Sequence, residues 1–231
     1  MAMLIAAAAV FLLIHLAISG TRVRDALVKT IGEGPYMGLF SLASLAALVW
    51  IGFAYAGARR GLDPVYWAAA PATLWIQLLV TLAAFLLMVP GLMTANPTSV
   101  RQEARLDTGD AAVGMVRITR HPFLWGVALW SAGHLMVNGD LASVILFATL
   151  LALSLFGGLS IDAKRRRALG ARWDAFAART SYVPFAAILQ GRERFSLGEI
   201  GPLRIVAALA AWAILLWAHP YLFGVSPLPR G

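Results

Sequence analysis

Six stretches of the chain are apolar for long enough to approach the thickness of a bilayer, and this constrains everything else. A spanning helix takes about 20 apolar residues at about 1.5 Å rise each. The stretches fall at roughly 2–20, 36–57, 66–92, 122–138, 141–161 and 203–223. Hydrophobic residues make up 60% of the 231 and charged residues only 13%, against about 45–50% and about 25% in soluble domains. The predicted fold class is therefore all-α: a polytopic transmembrane bundle of about six helices, forming one membrane domain over residues 1–231. The third stretch contains Pro71 and ends at Pro90-Gly91, so it is expected to start late or to kink. The fourth is short and closes on Asn138-Gly139-Asp140, a turn that makes a tight hairpin with the fifth. The opening MAMLIAAAAVFLLIHLAISG lacks a basic start and carries a histidine in its apolar run. It reads as a retained first span, not a cleaved signal.

The basic residues then set the orientation. If six helices alternate, sixteen of the nineteen lysines and arginines fall on one side. They are Arg22, Arg24 and Lys29; Arg101, Arg105, Arg117 and Arg120; and nine between Lys164 and Arg204. The other side receives Arg59, Arg60 and Arg230. The positive-inside rule places the sixteen in the cytoplasm and both termini in the periplasm. The net charge of +8 is thus a matter of topology and of contact with anionic lipid. The expected partner is the lipid bilayer, with no nucleic acid.

Two segments on the basic side carry pattern. Ser99-Val-Arg-Gln102 has the spacing of a capping box and predicts a short helix. DAKRRRALGARWDAFAA, residues 162–178, sets Leu169, Trp173 and Phe176 at helical spacing beside a basic face. It suits a helix lying at the membrane interface, or equally a solvated continuation of the fifth span. Asp162 heads this segment and is expected to pair with the Lys164–Arg167 cluster at the surface.

Depth sorts the four histidines into an inner pair, His15 and His121, and an outer pair, His134 and His219. His121 precedes Pro122, a tolerated first helical residue, and His134 lies about 20 Å further along the same helix. Ionisable residues inside a membrane raise a functional question by default. With no cysteine in the chain, disulfides, thiolate metal sites and cysteine nucleophiles are excluded. Two neutral imidazoles remain able to bind a transition metal or the iron of haem. Alternatively, each histidine bonds a backbone carbonyl or a headgroup. Arg22, Arg24, Arg117 and Arg120 lie at the depth where the propionates of an inner-leaflet haem would emerge, and they equally satisfy the topology rule. Trp130, His134 and Asn138 share a helix face, where His134 and Asn138 either bind a ligand as catalytic candidates or bridge helices. GxSxG, Walker, HExxH and GxGxxG patterns do not occur, so hydrolase, nucleotide and zincin chemistry has no motif behind it.

HLAISGTRVRDALVKTIGEGPYMGLFSLASLAALVW, RITRHPFLWGVALWSAGHLMVNGD, IDAKRRRALGARWDAF and TSYVPFAA together resemble the NnrU family over roughly residues 1–190. The helix at about 203–223 would then be an addition. That family is similar to the 15-cis-zeta-carotene isomerases, integral membrane haem b enzymes with histidine ligation. The resemblance implies a multi-pass protein of the bacterial inner membrane, haem b (iron) as cofactor, His15 and His121 as its ligands, and His134 as a further family histidine. It further implies an apolar small-molecule ligand, with cis–trans isomerisation of a polyene as the most concrete activity. A non-catalytic membrane factor for nitrite and nitric oxide respiration is the alternative. RHPFLWG with a later YVP also resembles membrane S-adenosylmethionine-dependent methyltransferases. There Leu124 stands at a usual tyrosine, and Asp162-Ala163 at a usual acidic pair.

Overall fold

The computed structural model of the chain describes residues 1–107 and 109–229. Arg230, counted above on the outer side, lies outside the described residues. Eleven α-helices are present among them, in the order α1 (Ala2–Leu12), α2 (Arg22–Ile31), α3 (Glu33–Arg60), α4 (Pro71–Met93), α5 (Met115–Ile118), α6 (Pro122–Val137), α7 (Leu141–Leu169), α8 (Ala171–Arg179), α9 (Ala186–Leu189), α10 (Leu197–Ile200) and α11 (Pro202–Phe223). α1 runs on into a π-helical turn over Leu13–Ile18, where the amide of Ser19 reaches back to the Ile14 carbonyl at 3.0 Å.

All six apolar stretches are helical, but they are not six equal spans. α3, α4, α7 and α11 are long and apolar enough to cross a membrane. Ala2–Ile18 passes only together with Arg22–Ile31, from which it is bent by 79°. α6 has 16 residues, about 24 Å of helix against a hydrocarbon core of about 30 Å. Pro71 opens α4 at its first turn, so the third stretch starts late, as the proline predicts. Residues 66–70 instead lie over the α6–α7 turn, with the Tyr66 amide on the Gly139 carbonyl at 2.8 Å and the Trp67 indole on the Leu135 carbonyl at 3.1 Å. Pro90 does not end α4, which continues to Met93.

α1, α3 and α7 pack as a triangle, with α3 and α7 also joined through Tyr55 and Ser143; α6 lies between α7 and α4, and α11 sits on the far side of α4. Small residues set the spacing. Leu4, Ala7, Phe11, Ala47, Ile51, Ala54, Ala58 and Ala142 form the core shared by α1, α3 and α7. At α4–α6 the approach is closer still: a Cβ on Gly126 would stand 2.7 Å from the Ala84 carbonyl oxygen, and one on Gly133 would meet the Gln77 side chain. Van der Waals contact between close backbones is the main attraction available to helices in lipid. The opposite faces carry Leu42, Leu45 and Phe53 on α3 and Leu203, Ile214 and Trp217 on α11, all exposed as lipid-facing side chains must be.

Two expectations on the basic side need correction. Ser99–Gln102 starts no helix. The Gln102 side chain accepts from the Asn96 amide at 2.8 Å, and a short 3-10 turn follows at Glu103–Asp107. Residues 162–178 are no single interfacial helix either. α7 continues through them to Leu169, Gly170 breaks it at φ +53°, and α8 turns Trp173 and Phe176 inward onto Val116. Those aromatics are consumed by the protein's own core, which is why they are not free to enter a membrane.

Candidate functional site

The RHP segment does not open a cofactor cleft; it is the centre of a buried polar knot. The carboxylate of Asp162, on α7, accepts from the His121 imidazole through Nε2 at 2.7 Å and from the Arg120 guanidinium at 2.6 Å. The side chains of His121, Arg120 and Asp162 are 1%, 10% and 14% exposed, so the group is sealed. Arg120 adds a long bond to Thr180 at 3.3 Å and lies over the Trp173 ring at 6.0 Å. Its carbonyl accepts from Asn96 and Thr98. Thr119 donates to the Tyr182 carbonyl at 2.6 Å, and Tyr182 itself bonds the Leu155 carbonyl at 2.5 Å. Burial and the Asp162 charge push the Tyr182 phenol up, which keeps it a neutral donor. Gly158 makes room for these rings, since a Cβ there would stand 2.7 Å from Tyr182.

Asp162 therefore pairs with Arg120 and His121, not with the surface cluster that follows it. Nothing in the spacing of the chain reveals this, because 41 residues separate His121 from Asp162. A lone acid near the end of an apolar helix was the available clue.

His15 stands apart from this knot. Its Nδ1 bonds the Phe11 carbonyl at 2.8 Å, and its ring lies 4.4 Å from Phe11 and 5.3 Å from Phe40. The ring is half-buried, and its Nε2 makes no hydrogen bond among the described residues. His15 and His121 do not face each other. On α7, Gly158 looks toward His121, while Ser160, about 200° round the helix, bonds the Gly20 carbonyl beyond the end of α1. α7 thus stands between the inner histidines. A porphyrin gripped axially by both does not fit this arrangement. One carried by His15 alone suits the donor set, since a ligating imidazole commonly donates its other N–H to a carbonyl.

One turn below His15, Ser19 and Phe40 enter the lining of a cavity of about 750 Å³. It lies between α2, the start of α3, the end of α7 and the loop near Arg101, and it brings Arg22 and Arg24 together. Arg24 is paired with Asp25 and Glu33 and lies 5.5 Å over the Tyr36 ring. The other two arginines singled out as propionate partners are elsewhere. Arg120 belongs to the knot, and Arg117 is enclosed by Asp110, Glu193 and Glu199, a network that ties α5 to the segment before α11.

In the outer half, Trp130, His134 and Asn138 share a face as expected. Asn138 donates to the His134 carbonyl at 2.9 Å and so closes the end of α6. The His134 Nδ1 lies 2.8 Å from the Trp130 carbonyl and 3.1 Å from the Gln77 amide of α4. Its ring sits 4.3 Å from Trp130 and 4.7 Å from Phe147. His134 sits between Trp130 and Phe147 and beside Gln77 of α4. His219 bonds the Val225 carbonyl at 2.8 Å and caps α11.

Known proteins share this arrangement of sequence. A chloroplastic 15-cis-zeta-carotene isomerase of Arabidopsis thaliana is 26% identical over 229 residues, covering 94% of this chain and 59% of the relative. The protein of that name from Zea mays is 25% identical over 225 residues, covering 92% and 58%. The chain spans about three fifths of the length of these relatives. No solved structure matches. The family model described as NnrU protein matches residues 3–227, which takes in α11 as well as the motifs before residue 190, and the chain belongs to the NnrU family.

Proposed function

We propose that the protein is a membrane-embedded cis–trans isomerase of an apolar polyene of the zeta-carotene type. The observation that carries this is the similarity to two 15-cis-zeta-carotene isomerases over 94% and 92% of the chain. A polyene hydrocarbon offers no polar group to grip, so its site must be aromatic, apolar and open to the bilayer. His15 between Phe11 and Phe40 has that character. His134 between Trp130 and Phe147 is a second such surface, in the outer half. Isomerisation moves no atoms between molecules. The protein's part is to hold the two arms of the polyene while the bond between them turns, and to exclude water.

Haem b belongs to this proposal with His15 as its imidazole ligand. When bound, such a group would supply a redox-active iron. The Phe11 carbonyl fixes which ring nitrogen of His15 carries the proton, leaving Nε2 as the ligand atom.

The test is the purified full-length protein in lipid nanodiscs, haem-replete and reduced, incubated in the dark with 15-cis-zeta-carotene and followed by chromatography of isomers. Conversion above the protein-free rate is expected, with loss of both conversion and a Soret band in His15→Ala. No conversion by a protein that does carry haem would refute the isomerase and leave a non-catalytic haem-bearing membrane factor.

A further inference from the structure

We infer that the cavity at the basic end is a binding site for the phosphate of an anionic phospholipid. It is lined by six cations and three acids. Arg24 is matched by Asp25 and Glu33, and Arg165 by Glu103. That leaves Arg22, Arg101, Lys164 and Arg167, which make no hydrogen bond or ion pair among the described residues. Elsewhere among the described residues only Lys29 and Arg194 are left in the same way; every other basic side chain is spoken for. Unmatched cations scattered over a surface signify little. Four of them gathered round one concavity, with Lys164 half-buried, repel one another unless an anion lies between them. A phosphate has the charge and the acceptor oxygens to serve several of them at once.

A second observation points to lipid. α2 turns 79° away from the first span and carries Val23, Leu27 and Ile31 at i, i+4, i+8, all exposed. Thus α2 has the form of a helix lying along the membrane surface, its apolar stripe in the acyl boundary. The cavity opens beside it, at headgroup depth. The lining also includes Tyr36, Met37 and Phe40, which would receive the glycerol and upper acyl carbons. This inference is independent of the isomerase activity.

The test uses the full chain in detergent, with dioctanoyl phosphatidylglycerol as probe and native mass spectrometry as readout. Dioctanoyl phosphatidylcholine and inorganic phosphate are the comparators. Three exposed positions are changed together (Arg22→Gln, Arg101→Gln, Arg167→Gln), and Lys164→Gln is made separately. Lys29→Gln with Arg194→Gln removes unmatched charge outside the cavity. Phosphatidylglycerol affinity is expected to fall at least about tenfold in the triple variant, to fall also in Lys164→Gln, and to change less than about twofold in the control. Equal loss in the control, or equal affinity for phosphatidylcholine, overturns the site. Displacement by inorganic phosphate at the same concentration overturns the lipid as its source. A haem that co-purifies with the native protein and is lost from Lys164→Gln while lipid affinity is unchanged assigns the cavity to haem carboxylates instead.

Discussion

Replacing Asp162 by asparagine should cost about 3 kcal/mol of folding stability. Asp162 puts one oxygen on His121 at 2.7 Å and the other on Arg120 at 2.6 Å, among side chains no more than 14% exposed. Asparagine keeps the shape and one acceptor oxygen but removes the charge. Arg120 would then hold only its bonds to Thr180 at 3.3 Å and the Ala177 carbonyl at 3.4 Å, with its Nε already unpaired. Breaking a buried pair from one side costs about 3–5 kcal/mol, and the remaining acceptor argues for the lower end. The assay is reversible unfolding in bicelles, measured for Asp162→Asn, Arg120→Gln and the double variant. The double should lose less than the sum of the singles by at least about 1 kcal/mol, the signature of direct contact. A single-variant loss under about 1 kcal/mol, the range of a solvated surface pair, would refute the claim that the knot is sealed.

Gly126→Ala should destabilise the α4–α6 contact by about 2 kcal/mol, because the new Cβ meets the Ala84 carbonyl oxygen at 2.7 Å and cannot displace backbone cheaply; thermal unfolding in detergent reads this. Asn138→Ala should cost about 1 kcal/mol through the lost bond to the His134 carbonyl and leave polyene conversion unchanged, whereas a fall in turnover at full folding would give Asn138 a catalytic part. The Arg117 guanidinium and the Gly114 amide hold the Glu199 carboxyl below its ordinary value of 4.5. Burial pushes Asp110 up from its ordinary 3.8, but the Ala112 amide and the Arg179 and Arg117 guanidiniums outweigh it and carry it down. Both carboxyls are depressed in the fold, so their stabilisation is complete above those ordinary values and is lost as pH falls through the lower folded ones. Equilibrium unfolding against pH should show an acid-side decline that is shallower in Arg117→Gln, and an unchanged slope would remove the network from the account.

The apolar stretches were legible because lipid demands uninterrupted helices with apolar exteriors, and a run of Leu, Ala and Val states that locally. Helix ends were legible where chemistry marks them, at Pro71, Pro122 and Asn138; the break at Gly170 was not, because helical spacing runs through it. The meaning of the RHP motif was not. Composition and depth made Arg120 and His121 look available, yet both are consumed by an acid on another span, and a pairing between distant segments leaves no periodic trace. The same holds for Trp173 and Phe176, whose spacing is equally right for a membrane face and for a core. His15 was singled out by its apolar setting, but its separation from His121 depends on which side of α7 each helix packs.

The π-helical turn at Leu13–Ile18 amounts to a helix holding one residue more than its hydrogen-bond ladder needs. Deleting a single residue there would restore ordinary winding with little net rotation, because the extra residue is taken up within one turn. Leu4, Ala7 and Phe11 would keep facing α3 and α7. A deletion among residues 8–12 would instead turn those before it by about 100°, so the first span can lose a residue at its wide turn without losing its seat, and nowhere above it.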